Sequence, residues 1–140
     1  MNQYIDIYSH EHEGFKILVK YQSWRTAVLN CGITTRTGTF SYVEKHRETD
    51  EVFVLLKGKA YLVIGEDGGR IDSSRPDSYQ ILPLESFKTY NVKCNIWHGV
   101  LMSEDASIYI VENIDTVKEN GCYYYLTPEE KEKILEKVTF

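Results

Sequence analysis

Short runs of alternating apolar and polar residues follow one another along most of the chain. Alternate side chains of a β-strand point to opposite faces, whereas a helix repeats every ~3.6 residues. Turn-type residues, among them Lys57-Gly58 and Ser103–Asp105, separate the runs. Many short strands between regular turns predict an all-β sandwich or barrel. The predicted strands are Tyr4–Tyr8, Phe15–Tyr21, Arg25–Cys31, Phe40–His46, Val52–Leu56, Lys59–Ile64, Ser78–Leu82, Lys88–Val92, His98–Met102 and Ser107–Glu112.

One helix is predicted near the C-terminal end of the sequence, over about residues 127–138. Thr127 suits the N-cap, Pro128 suits the first helical position, and Glu130 completes a capping box. The apolar stripe of this helix consists of Ile134, Leu135 and Val138. Because these positions recur at helical spacing, we expect the helix to pack through them against the outside of the barrel.

The composition fits one domain over residues 1–140 and argues against charged macromolecular partners. The net charge is −5, and no block of Lys or Arg interrupts it. Binding to nucleic acid or to an anionic membrane surface is therefore not expected. The N-terminal residues lack a basic start and a long apolar run, so we predict no signal peptide and no membrane span.

The three cysteines indicate a reducing compartment. Cys31, Cys94 and Cys122 are odd in number, widely spaced and without a C-x-x-C pattern. A disulfide framework or a zinc knuckle is therefore disfavoured, and reduced thiols in a cytoplasmic protein are expected.

Candidate chemistry lies on two stretches of the sequence. Glu44 and His46 are two residues apart on a predicted strand and share a face. The polar turn 47–50 is predicted to reverse the chain and to place Glu51 on a neighbouring antiparallel strand. Glu51 precedes an apolar run, which is unusual for a carboxylate without a partner. His98 opens another apolar strand far downstream.

The first stretch, residues 38–58, resembles the first sequence motif of the cupin superfamily. In that motif a Gly is followed by His-x-His, a Glu and a second Gly at fixed spacing. Glu44 stands where the family usually has its first histidine. The positions that match the motif are Gly38, His46, Glu51 and Gly58.

The second stretch, about residues 91–102, resembles the second cupin motif. His98 matches the histidine of that motif, whereas Lys93 and Asn95 replace its proline and glycine, and Met102 stands where an asparagine is common. The resemblance implies one antiparallel jelly-roll β-barrel, with the short C-terminal α-helix added. It implies little about function, because one fold hosts many chemistries.

The resemblance also implies a divalent metal held by His46, Glu51 and His98, with Glu44 as a possible fourth ligand. Two imidazoles and one or two carboxylates suit Mn, Fe, Ni or Zn. Glu44 could instead act as a catalytic general base beside the metal, or form a salt bridge with a lysine in a metal-free pocket.

Two further residues are predicted to contact a small-molecule ligand. Tyr42 shares the face of Glu44, and Met102 shares the face of His98. The alternative is that both are ordinary core residues. The His10-x-His12 pair lies in a polar connection, where a solvated loop is the expected structure.

Three functions remain open at this stage, so the sequence leaves undecided whether the chain is an enzyme. The first is a metal-dependent isomerase, lyase or oxygenase for a sugar, a sugar derivative, or a keto or hydroxy acid. The second is a metal-free binding or sensing module, and the third is a structural barrel with a degenerate site. We also expect a homodimer, with Tyr4–Tyr8 as a candidate contact.

Overall fold

The structure is a computed structural model that describes residues 3–65, 78–117, 119 and 121–140. Its strands form two five-stranded sheets in which every neighbouring pair is antiparallel. The elements are β1 (Gly14–Tyr21), β2 (Trp24–Asn30), β3 (Tyr42–His46), β4 (Glu51–Lys57), β5 (Ala60–Gly65), β6 (Tyr79–Pro83), β7 (Thr89–Val92), β8 (His98–Met102), β9 (Ser107–Asn113), β10 (Gly121–Tyr125) and α1 (Pro128–Leu135). The first sheet has the order β1-β2-β9-β4-β7 and the second β10-β3-β8-β5-β6. The predicted antiparallel jelly roll is confirmed.

The inner faces of the two sheets share one hydrophobic core. Phe53 of β4 and Ile108 of β9 pack there with Leu62 of β5 and Val100 of β8. Strand alternation selects these side chains, because residues two apart point into the same interior. Burial of this apolar surface is the main force that holds the two sheets together.

A second core lies between the outer face of the β3–β8 sheet and the helix. Ile134 is fully buried and packs in a cluster with Phe40, Val43 and Trp97. Leu135 and Val138 pack at the edge of this cluster, so the predicted stripe is confirmed. Thr127 and the helix residue three positions on form the predicted capping box. In the described part of the chain, no helix has the length and apolar character needed to cross a bilayer.

Two elements differ from the sequence prediction. Tyr4–Tyr8 is not a strand, although its residues alternate between apolar and polar. Its side chains are exposed, and no neighbouring strand pairs with it in the described part of the chain. Conversely, β10 was not predicted, and it pairs with β3 along the whole of Gly121–Tyr125. Its run of three tyrosines has no alternation from which a face could be assigned.

The placement of Glu51 on a strand next to that of His46 is also wrong. Strand β3 pairs with β10 and β8, whereas β4 belongs to the other sheet and pairs with β7 and β9. The turn 47–50 therefore crosses from one sheet to the other, and Glu51 faces His46 across the interior. This crossing is what allows a single site to draw residues from both sheets.

Hydrogen bonds fasten the crossing turn to the connection between β7 and β8. Asp50 accepts hydrogen bonds from Asn91 Nδ2 at 3.0 Å and from the Cys94 backbone N–H at 2.8 Å. The Asn95 N–H donates to the carbonyl oxygen of His46 at 2.7 Å. Asn95 has a φ of 66°, a left-handed conformation that asparagine tolerates better than most residues. Together these hydrogen bonds fix the position of His46 relative to the strand that carries His98.

Candidate metal and substrate site

A cavity of about 320 Å³ lies between the two sheets. Its volume falls at the lower end of the range of ligand pockets, which suits a small metabolite. The walls are mainly apolar, but six histidine or charged side chains also line the cavity. These are Glu44 and His46 from β3, His98 from β8, Glu51 from β4, Glu112 from β9 and Arg25 from β2.

Four of these side chains converge on one point. Glu44, His46, Glu51 and His98 each offer a potential ligand atom, and the four atoms lie within 4.8 Å of one another. Nε2 of His46 is 2.9 Å from Oε2 of Glu51 and 3.8 Å from Oε1 of Glu44. Nε2 of His98 is 3.7 Å from Oε1 of Glu51. All four residues that the cupin motifs indicate as metal ligands are thus brought together.

His98 carries the feature that fits a metal best. Its Nδ1 donates to the carbonyl oxygen of Ile96 at 2.9 Å, which leaves Nε2 as the nitrogen that faces the cluster. Nε2 is buried and has no hydrogen-bond partner among the residues that the structure describes. Metal-binding histidines are usually oriented in this way, with the second ring nitrogen bonded to a carbonyl or carboxylate. A buried polar atom without a partner is costly, so a cation at Nε2 would remove a penalty.

The electrostatics of the cluster favour positive charge. Burial would lower the pKa of His98, but Glu51 beside it outweighs burial, and the pKa is raised. Burial would likewise raise the pKa of Glu51, but His46 and His98 hold it well below its usual range. A site that stabilises an imidazolium in this way would also stabilise a divalent cation, which would displace the proton on binding.

Glu44 differs from the other three members of the cluster. Its side chain is 31% exposed, compared with 8% for Glu51, so it faces the open part of the cavity. Burial, and next the charge of Glu51, raise the pKa of Glu44. A carboxylate with a raised pKa at the open side of the His/Glu cluster is suited to accept a proton from a bound molecule.

Comparison with known proteins identifies the family. The model of the ureidoglycolate lyase family matches residues 4–132 of the chain. The chain belongs to this family. Among curated proteins, none has a significantly similar sequence. The cupin resemblance seen in the two motifs is confirmed, because the family has the cupin fold.

Solved structures similar to this ureidoglycolate lyase family member agree on the fold. Pac13, a nucleoside dehydratase, matches with a TM-score of 0.56 and 8% identity, over 86% of each chain. A cupin-2 domain protein from Shewanella frigidimarina has a TM-score of 0.52 and 17% identity, over 75% of this chain and 84% of that one. HppE in its Fe(II) form has a TM-score of 0.51 and 12% identity, over 71% of this chain and 48% of that one. At such low identities these likenesses establish the fold alone.

In this family member, two charged residues that the sequence analysis did not assign to the site line the cavity. Nε and Nη2 of Arg25 donate to Oε1 of Glu112 at 3.1 Å and 2.9 Å. Glu112 lies opposite Glu51 on the adjacent strand, so the two carboxyl groups influence each other's ionisation. Burial and the nearby Glu51 raise the pKa of Glu112 to about 9. The signal in the sequence was alternation, because each residue sits two positions from an apolar, inward-facing residue.

The two predicted ligand contacts are placed differently. Tyr42 lines the cavity and packs edge-to-face against Tyr123, with ring centroids 5.6 Å apart. Tyr123 also lines the cavity, and it was missed because β10 was missed. Met102 is 2% exposed, packs in the hydrophobic core and is not among the described residues that line the cavity.

The histidine pair near the N-terminus lies in an irregular segment, as expected. His12 is exposed, and Nε2 of His10 lies 2.9 Å from the carbonyl oxygen of Gly14. Asn30 donates to the backbone carbonyls of both histidines. Among the described residues, the pair is not part of a cluster arranged for a metal ion.

Proposed function

We propose that the chain is a metal-dependent lyase that acts on a small 2-hydroxy acid, with ureidoglycolate as the first candidate. The observation that carries the proposal is Nε2 of His98, which is buried near His46 and Glu51 and has no hydrogen-bond partner among the described residues. Membership of the ureidoglycolate lyase family supports the reaction class. Among sugars, keto acids and hydroxy acids, it also favours a hydroxy acid with a nitrogen leaving group as the substrate to test first.

The residues can be given roles in this reaction. His46, Glu51 and His98 would hold the divalent metal, which when bound polarises oxygen atoms of the substrate. Glu44, at the open side of the cluster, would accept the proton of the substrate hydroxyl. The carbon–nitrogen bond then breaks, the hydroxyl oxygen becomes the carbonyl of glyoxylate, and the nitrogen takes up a proton to leave as urea. The proton that Glu44 accepts balances the one that the nitrogen receives.

The charge of the cavity supports an anionic substrate. With a metal bound, His46 and His98 are neutral ligands, Glu112 keeps its proton, and Arg25 adds one positive charge. Even if Glu44 and Glu51 are both ionised, the charges of the divalent cation and of Arg25 exceed the negative charge of these carboxylates by one. A singly charged hydroxy acid would then find a complementary cavity.

The test is the metal content and lyase activity of untagged protein at neutral pH. We expect about one transition metal per chain and release of glyoxylate and urea from ureidoglycolate. His98→Gln should lower both metal affinity and kcat/KM by roughly 100-fold or more, because a ligand is lost. His12→Gln is the matched control, since His12 is exposed and outside the cavity. Wild-type turnover that survives in His98→Gln would refute the proposed role of the cluster.

A metal-free binding module is the second candidate function. The 2.9 Å contact between His46 and Glu51 favours it, since part of the cluster is satisfied without a cation. For this candidate we expect small hydroxy acids to bind in calorimetry after chelator treatment, without turnover. Loss of all binding after chelation would exclude it.

A further inference from the structure

Arg25 is held in place by groups on one side of its guanidinium. Nε and Nη2 donate to the same oxygen of Glu112, and Nη2 also donates to the carbonyl oxygen of Thr116 at 2.5 Å. The guanidinium lies over the ring of Phe15, with its central carbon 5.9 Å from the ring centroid. An arginine fixed by three hydrogen bonds loses little further freedom when it binds a ligand.

The remaining nitrogen, Nη1, takes no part in these hydrogen bonds. It has no hydrogen-bond partner in the described part of the chain. It is also not among the buried polar atoms that lack a partner, so it retains contact with solvent. Arg25 lines the cavity and is the one Arg or Lys among the described lining residues. A cationic side chain held by three hydrogen bonds thus lines the same small cavity as the His/Glu cluster.

We propose that Nη1 of Arg25 binds the carboxylate of the substrate. This inference rests on the proposed function. It gives the anionic group of the substrate a binding site separate from the metal ligands. Arg25 lies opposite Glu112, and Glu112 lies opposite Glu51, so the arginine is two strands away from the cluster in the same sheet. A molecule anchored at the cluster by its hydroxyl end can therefore present a carboxylate to Arg25.

The geometry favours a carboxylate over a phosphate. Glu112 and Thr116 occupy three of the five N–H donors of Arg25, so only the two N–H groups of Nη1 remain for a ligand. A carboxylate has two oxygens and can be held by these two donors, whereas a phosphate has more oxygens to satisfy than Nη1 alone can serve. The small volume of the cavity also favours a carboxylate over the larger phosphate group.

The competing explanation is that Arg25 serves only to hold Glu112 in place through its two hydrogen bonds. Glycolate and glycolamide separate the two roles, because they share a hydroxyl group and differ in the charge of the second group. We expect metal-loaded wild-type protein to bind glycolate more tightly than glycolamide in calorimetry. Arg25→Met should weaken glycolate binding about 10- to 100-fold, the range of a lost charge-assisted hydrogen bond, and leave glycolamide unchanged.

Two further variants keep the test decisive. Arg25→Lys retains a charge but not the fork of donors, and it should recover only part of the glycolate affinity. Arg36→Met is the matched control, because Arg36 also pairs with carboxylates but lies outside the described cavity lining. Equal losses for glycolate and glycolamide, or no preference for glycolate in the wild type, would overturn the proposal.

Activity measurements on the same proteins separate this inference from the proposed function. If ureidoglycolate is turned over and Arg25→Met does not change KM, the proposed carboxylate site is wrong, but the proposed lyase activity is supported. Conversely, a preference for glycolate that depends on Arg25 supports the carboxylate site even if ureidoglycolate is not turned over. In that case the proposed lyase activity is contradicted and the carboxylate site is not.

Discussion

At the scale of single residues, two buried carboxyl groups are neighbours in the interior. Glu51 and Glu112 lie opposite each other on adjacent strands and are both buried. Two negative charges in this position would repel strongly, so the pair shares a proton. Arg25 on one side and the histidines on the other decide where that proton resides. The proton belongs to Glu112, whose pKa is about 9.

Because Glu112 is protonated in the folded state, we can predict how the stability of chelator-treated protein depends on pH. Between the ordinary pKa of 4.5 and about 9, Glu112 is protonated in the folded state and ionised in the unfolded state. Unfolding then releases a proton, so stability falls as pH rises through this window. Glu112→Gln removes the effect. The free energy of unfolding of Glu112→Gln relative to wild type should therefore increase steadily from pH 5 to pH 9 in urea titrations.

A surface carboxylate provides the control for this pH profile. Glu104 is hydrogen-bonded to Arg36, which lowers its pKa. Its contribution to stability is present above its unfolded pKa and is lost only as pH falls. Glu104→Gln should therefore shift stability by a constant amount between pH 5 and pH 9. Parallel curves for wild type and Glu112→Gln over this range would show that Glu112 does not hold the proton.

The site was only partly predictable from residues alone. Alternation along β3 placed Glu44 and His46 on one face, and the structure agrees. The approach of Glu51 and His98 came from the cupin resemblance, because it depends on a sheet crossing that local pattern does not encode. Arg25 and Glu112 were missed, although a charged residue at an inward position of an apolar strand is a visible signal.

At the scale of elements, the turn between β4 and β5 depends on one glycine. Gly58 has a φ of 77°, and a Cβ built there would lie 2.5 Å from Cα of Ala106. Replacement by alanine combines backbone strain with a clash against neighbouring backbone. We expect Gly58→Ala to lower the free energy of unfolding by at least ~2 kcal/mol, as measured by urea titration.

Gly38, the other glycine of the first cupin motif, is the matched control. A Cβ at Gly38 meets nothing within 4 Å. Gly38→Ala should change stability by no more than about 1 kcal/mol, and a small increase is expected from the stiffer unfolded chain. If both alanine variants are equally stable, the turn does not require a left-handed residue.

Strands were predicted correctly where a segment both alternates between apolar and polar residues and pairs with a neighbouring strand. Tyr4–Tyr8 has the alternation of a strand, but a strand is stable only when its backbone groups are paired, and this segment has no pairing strand among the described residues. Gly121–Tyr125 is paired along its length but lacks alternation. Local pattern reports which face is buried, and it does not report whether a partner strand is within reach.

At the scale of the whole molecule, several apolar side chains are exposed at the edge of the first sheet and in the segment that precedes it. Strand β1 forms this edge, and the segment before it is irregular. Exposed apolar side chains in one part of a surface commonly mark a contact between proteins. The exposed residues are Tyr4, Ile5, Ile7, Tyr8, Phe15, Tyr21 and Trp24. They support the prediction of a homodimer, which stays a prediction.

The dimer prediction can be tested by sedimentation velocity at micromolar concentration. Wild-type protein should sediment as a dimer, because burial of these side chains in an interface removes apolar surface from water. The double substitution Ile5→Ser and Ile7→Ser should shift the population towards monomer, since both side chains are mostly exposed in the single chain. Ile33→Ser is the control, because Ile33 is also exposed but lies outside this segment. A wild-type monomer, or a dimer unaffected by the double substitution, would rule out the N-terminal segment as the contact.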